Sequence, residues 1–189
     1  MEQFIKGNWR AGWAIDLHTV ACTKNDDGSF NTTRSEIGEL VYRLKYKQDK
    51  NTINSISQTV ANFFRSRRIF SYIDVILPVP PSKQRDLQPV PTIAYEAGRI
   101  VNKKVDTNYI KKFRSTSEIK EMKDPNERAK ALAGVFGVED MRYKGKDVLL
   151  FDDLYRSGTT LKEITHMLYE QGKINSVYVV TMTKTRVNR

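Results

Sequence analysis

The stretch VLLFDDLYRSGTTL, residues 148–161, decides the fold. An apolar run leads into two acids, Asp152 and Asp153, and then into Ser157-Gly158-Thr159-Thr160. A short apolar run bounded by turn residues predicts a buried strand, here over residues 147–151. Helical spacing follows over residues 159–171, and Gly172 ends it. The chain is therefore expected to turn through residues 152–158 between strand and helix. Free backbone N–H groups and the helix dipole make such a helix start an anion site. Gly158 allows close backbone approach. Ser157, Thr159 and Thr160 add hydroxyl donors, and Arg156 adds a positive charge. The acids oppose this: a carboxylate about 6 Å from a phosphate costs ~3 kcal/mol per unit charge pair at an effective dielectric of about 20. The conflict disappears if the two groups address opposite ends of one ligand. A sugar phosphate has that shape, with hydroxyls for Asp152 and Asp153 and a phosphate for residues 156–160. A magnesium ion beside the acids would ease the repulsion further. The alternative is a plain capping turn, with Asp153 or Ser157 as the cap.

Working outward, residues 73–77 form a second apolar run, predicted as a buried strand that Pro78 ends. Residues 78–81, Pro-Val-Pro-Pro, are expected to form a loop. It carries Ser82, Lys83 and Arg85 toward the strand end, where they suit a dense anion. Helices are predicted over residues 92–101, 51–68 and from Ser35, the last with Ile37, Leu40, Val41 and Leu44 on one face. Residues 177–182 read as a final strand. Residues 110–126 are charged and poorly patterned and are expected to form a long mobile loop. Asp124-Pro125 then opens a short helix through Leu132. Residues 9–23 alternate and read as strand, and a turn signal at residues 25–28 returns the chain from Phe30. From residue 71, strands alternate with helices, which predicts a mainly parallel α/β sheet. Ligands bind such sheets at the carboxyl ends of the strands, where both loops fall.

The 189 residues suffice for one domain with a sizeable core. No apolar run is long enough to cross a bilayer, and the N-terminus lacks the apolar centre of a secretory signal. Cys22 is the single cysteine, which excludes an internal disulfide and a cysteine zinc cluster. A cytoplasmic location is the expectation. The formal net charge of +10 suits a polyanionic partner, either nucleic acid or a phosphate-rich small molecule. Basic clusters at Arg65, Arg67, Arg68 and at Lys103, Lys104, Lys111, Lys112, Arg114 read singly as solvated surface. His18 and His166 do not form a metal pair by spacing, and Trp9 and Trp13 read more readily as core than as base-stacking rings.

Residues 148–161 resemble the signature of the type I phosphoribosyltransferases, in which an apolar strand, two acids and a Ser/Thr-Gly loop bind phosphoribosyl pyrophosphate (PRPP). VILPVPPSKQR (residues 75–85) resembles the strand and loop before the pyrophosphate site in the ComF-like, competence-associated branch. LKYKQDK (44–50), ERAKALAGVFGV (127–138) and VYVVTMTKT (177–185) follow the same order. Two departures stand out. ComF proteins often carry an N-terminal four-cysteine zinc module, where this sequence has GNWRAGWAIDLHT. Purine salvage transferases place an aspartate where this sequence has Arg156, and Tyr155 is bulkier than the usual aliphatic residue.

The resemblance implies a Rossmann-like, five-stranded, mainly parallel sheet in one domain. Residues 71–189 would form the α/β core and residues 1–70 a hood with helices. It implies transfer of ribose 5-phosphate from PRPP to an unidentified nitrogenous acceptor, with magnesium as cofactor. Asp152 and Asp153 would hold the ribose hydroxyls and, through them or through water, the metal. Residues 156–160 would hold the 5-phosphate, and Ser82, Lys83 and Arg85 the pyrophosphate. Lys112, Arg114 and Arg128 would act from a loop that closes over PRPP and excludes water. The rival readings are a non-catalytic PRPP or nucleotide binder, a DNA-uptake or processing accessory and, from the basic faces rather than the resemblance, single-stranded DNA binding with Trp9 and Trp13 stacking. A homodimer is the candidate oligomer.

Overall fold

The computed structural model describes residues 2–25, 27–82, 86–114, 127, 131 and 133–186. Five strands form the main sheet. In chain order these are β1 (Gln3–Phe4), β2 (Ala11–Leu17), β5 (Val75–Pro78), β8 (Asp147–Tyr155) and β9 (Ser176–Lys184). Their spatial order is β1-β2-β9-β8-β5, with only the β1–β2 pair antiparallel. Two short antiparallel pairs lie outside it: β3 (Thr19–Lys24) with β4 (Phe30–Arg34), and β6 (Lys111–Lys112) with β7 (Phe136–Gly137).

β5, β9 and the first half of β8 are buried on both faces, and the two-residue period sorts their side chains. Val148 and Leu150 pack beneath α4 (Thr159–Glu170) with Leu161, Ile164 and Leu168. Leu149 and Phe151 point the other way, into the cluster built by α1 (Glu36–Tyr46), α2 (Thr52–Arg65) and α3 (Pro89–Ile100). Phe64 of α2 stacks on Phe70 at 4.3 Å and meets Phe151 edge-on at 6.1 Å.

Three expectations change. The α/β core is not confined to residues 71–189, because β1 and β2 bring the first seventeen residues into the sheet beside β9. Alternation in residues 11–17 marks a strand, but its partner lies more than 160 residues away and leaves no local signal. The expected strand over residues 9–23 breaks at His18, and only the part beyond it, β3, joins the hairpin, with its turn near Gly28 (φ +82°). Pro78, expected in a loop, ends β5 opposite Phe151. β5 is the outermost named strand of the sheet, where a missing N–H is tolerated. The short helix expected up to Leu132 falls mostly outside the described residues.

Helix α1 is anchored by its cap. Ser35 Oγ accepts from Gly38 N–H at 3.1 Å and donates to the Leu17 carbonyl. Ser35 is buried, so Ser35→Ala removes a cap and leaves the half-buried Leu17 carbonyl short of a donor. The expected loss is about 1–2 kcal/mol, read as a lower melting temperature.

Candidate functional site

The acids sit inside a strand rather than on a turn. β8 continues past Phe151, pairing Asp152 with Thr181, Leu154 with Thr183 and Tyr155 with Lys184. The drop in hydrophobicity at Asp152 marks where burial ends; the ladder runs as far as β9 supplies partners. Period two places Asp153 on the face shared by Phe151 and α1, and Asp152 on the face shared by Leu150 and α4. The pair therefore straddles the carboxyl edge of the sheet. Asp153 N–H donates to Asp152 Oδ1 at 2.8 Å.

The turn is confined to residues 156–158. Gly158 is the N-cap of α4 at φ +73°, ψ +4°, and no side chain caps the helix. Asp153 and Ser157 are thus not caps, and no N-cap side chain takes up the N–H groups of the first turn. Ser157 Oγ and Thr159 Oγ1 lie 2.9 Å apart. Arg156 and Ser157 are exposed. A Cβ on Gly158 would stand 2.6 Å from the Tyr155 ring. That ring is fixed in turn: its hydroxyl donates to the Lys6 carbonyl at 3.2 Å, and Trp9 meets it edge-on at 6.4 Å. Trp9 is buried and its indole N–H donates to the Ile5 carbonyl at 3.1 Å. Asn8 Nδ2 donates to the Lys162 carbonyl of α4 at 2.9 Å. The segment GNWRAGW thus buttresses the loop and helix start that the sequence predicts as an anion site.

These elements enclose a cavity of about 350 Å³, within the usual range for small-molecule sites. Asp152, Asp153 and residues 156–160 line one side, Pro80, Ser82 and Gln88 another, and Lys45 and Tyr46 a third. Lys112 comes close, its Nζ 3.5 Å from both the Pro81 and the Ser82 carbonyl. Burial holds the Lys112 ammonium below its ordinary pKa. Arg114 is turned aside and donates to the Ala133 carbonyl at 2.8 Å. Lys83, Arg85 and Arg128 lie outside the described residues.

Lys45 is the site residue that sequence reasoning missed. Its ammonium pairs with the Asp153 carboxylate. Burial opposes the charged lysine, yet the charge and hydrogen bond of Asp153 outweigh it and raise the pKa above the ordinary value. Asp153 is also held from behind: Thr183 Oγ1 donates to its carbonyl at 3.1 Å and lies 3.3 Å from His18 Nδ1. Burial, then the charges of Arg34 and Lys45, keep His18 below its usual pKa. The one available signal for Lys45 was its place in LKYKQDK, beside the inward-facing Leu44.

Much of the basic surface is engaged locally. Arg65 donates to the Ile100 carbonyl at 2.8 Å, and Lys103 Nζ to Ser71 and Ile73 carbonyls at 3.1 and 2.7 Å. Arg67 pairs with Glu2, and Lys111 with Glu139 at 3.6 Å. Trp9 and Trp13 are only 7% and 9% exposed, in line with their reading as core, and leave the rival stacking of single-stranded DNA little surface to use. Among the described residues no helix is long and apolar enough to cross a membrane.

No family model matches the chain. It is 28% identical over 127 residues to the amidophosphoribosyltransferase of Saccharomyces cerevisiae, covering 60% of this chain and 23% of that one. It is 24% identical over 158 residues to competence protein ComFC of Bacillus subtilis, covering 83% of this chain and 63% of that one. The chain thus spans less than two thirds of either relative. Among solved structures, the glutamine PRPP amidotransferase of B. subtilis superposes with a TM-score of 0.51 at 18% identity, covering 84% of this chain and 35% of that one. The α/β architecture with a five-stranded, mostly parallel sheet is thus the type I phosphoribosyltransferase fold, and the similarity to ComFC agrees with the ComF-like resemblance.

Proposed function

We propose that this chain, built on the type I phosphoribosyltransferase fold, binds PRPP and transfers its ribose 5-phosphate to a nitrogen nucleophile. The observation that carries the reading is one cavity faced both by an acidic pair and by a helix start that no side chain caps. The 5-phosphate takes the first-turn N–H groups with Ser157, Thr159, Thr160 and Arg156. The ribose hydroxyls take Asp152 and Asp153. Pyrophosphate lies against Ser82 and Lys112, joined by Lys83 and Arg85. In the transfer, the C1–O bond breaks and its electron pair leaves with pyrophosphate. The acceptor nitrogen's lone pair forms the new C1–N bond, and its proton passes to solvent. The carboxylates favour the positive charge that builds at C1.

The donor set fits magnesium of one kind only. Among the described residues no group of three or more His, Cys, Asp or Glu could hold a metal ion, so they build no protein cage. One or two carboxylates suffice for an ion that keeps waters and takes its other oxygens from phosphates. Asp152 and Asp153 would hold such an ion, directly or through water, and when bound it would neutralise pyrophosphate charge.

Pyrophosphate release, followed across a panel of nucleobases and simple amines with PRPP and magnesium, tests the transfer. Release that depends on one acceptor supports it. PRPP binding in calorimetry with no acceptor-dependent release favours binding without transfer, the reading that Lys45 on Asp153 also favours. The ComFC similarity extends that second reading to an accessory role in DNA uptake or processing. Absence of PRPP binding overturns both.

A further inference from the structure

Lys45 stands in a place that the sugar-phosphate chemistry leaves unexplained. Its ammonium comes from α1, 108 residues before its partner Asp153, and reaches the acid that lies on the α1 face of the sheet. The two side chains are 20% and 15% exposed, so solvent screens the pair only weakly. As pyrophosphate departs, positive charge grows on the ribose carbon. A carboxylate beside that carbon favours the charge, whereas an ammonium bound to the same carboxylate cancels much of its field. Arg156 also lines the cavity and adds a cation for phosphate. A second cation placed on the acid works against ionisation of the sugar.

We propose that Lys45 is a positioning residue that restrains the reaction: while its ammonium holds Asp153, the site binds PRPP but protects it from hydrolysis, and transfer requires Lys45 to leave Asp153. This inference rests on the PRPP reading above. The step it suppresses is loss of PRPP to water. The C1–O bond to pyrophosphate breaks with its electron pair going to pyrophosphate. A water oxygen forms the new C1–O bond and releases its proton to solvent, leaving ribose 5-phosphate. Tyr46, next along the helix, lines the same cavity.

The test compares the wild type with Lys45→Met, Lys45→Gln and Lys45→Arg in two measurements: PRPP affinity by calorimetry, and acceptor-free pyrophosphate release by phosphorus NMR. The Met and Gln variants are expected to bind PRPP within about threefold of wild type. They are expected to release pyrophosphate about 10-fold faster. The Arg variant restores the ion pair and the slow rate. A merely structural lysine would move neither the split between binding and release nor the rescue by arginine. Normal binding with unchanged release in both neutral variants overturns the inference and leaves the PRPP reading intact. Lost binding in both, with wild type binding normally, makes Lys45 a direct ligand contact and also overturns it. A wild type that does not bind PRPP overturns the reading and the inference together.

Discussion

Replacing Asp152 and Asp153 together by asparagine is expected to weaken PRPP binding by about 100-fold or more while the protein stays folded. Hydrogen bonds to charged groups contribute about 1.5–3 kcal/mol each, and two lost carboxylates easily exceed the ~2.7 kcal/mol that corresponds to 100-fold. Asparagine keeps the shape, so the β8–β9 ladder, made of backbone bonds through Thr181 and Thr183, is unaffected. Lys45 loses a charged partner, but the asparagine side-chain oxygen still accepts a hydrogen bond from its ammonium. Calorimetry with PRPP and magnesium, paired with thermal melting, separates the two effects. Equal affinity in the double variant would remove the acids from the site. A melting temperature that collapses would show them to be structural.

Gly158→Ala should be the most damaging small change in the loop. The position needs φ +73°, a region that costs an ordinary residue about 1–2 kcal/mol. The new Cβ would also stand 2.6 Å from the Tyr155 ring, which is held by Lys6 and Trp9 and has little room to yield. The expected loss is about 2–4 kcal/mol in total, or on the order of 4–16 °C in melting temperature for a chain of this size. PRPP binding should fall further than stability does, since the same backbone aims the first-turn N–H groups. Adding Tyr155→Leu removes the clash but not the backbone strain. Partial recovery of stability without recovery of binding is therefore expected. Full recovery of both would mean that the conformation of residue 158 is unimportant.

The strand–turn–helix unit was legible because its signals are local. Hydrophobicity marks residues 148–151, Gly158 marks the turn, and helical spacing marks residues 159–171. Its details were not local. Asp152 and Asp153 look like turn residues until β9 is seen to run beside them as far as Lys184. The strand in AGWAIDL shows in its alternation, yet nothing in those residues names β9 as its neighbour. Segment GNWRAGW could not be assigned from sequence because its role is to brace Tyr155 and Lys162, both far along the chain. Lys45 is the sharpest case. Helical periodicity shows which face of α1 turns inward, but not that the next residue reaches a carboxylate 108 positions away.

The strand order carries a consequence for how the molecule is assembled. β5 and β8 form one half of the sheet and β1 and β2 the other, and only β9 lies between them. It is the latest-synthesised strand of the five. Until residues 176–184 emerge, the nascent chain holds two half-sheets with open edges and no way to pair them directly. Contacts such as Trp13 with Val180 join residues far apart in the chain, which slows folding and holds the sheet open until β9 has been made. β9 also supplies Thr183, whose hydroxyl holds the Asp153 carbonyl. Closure of the sheet and completion of the binding site are therefore a single event, and a chain cut short within β9 is incompetent to bind as well as unfolded.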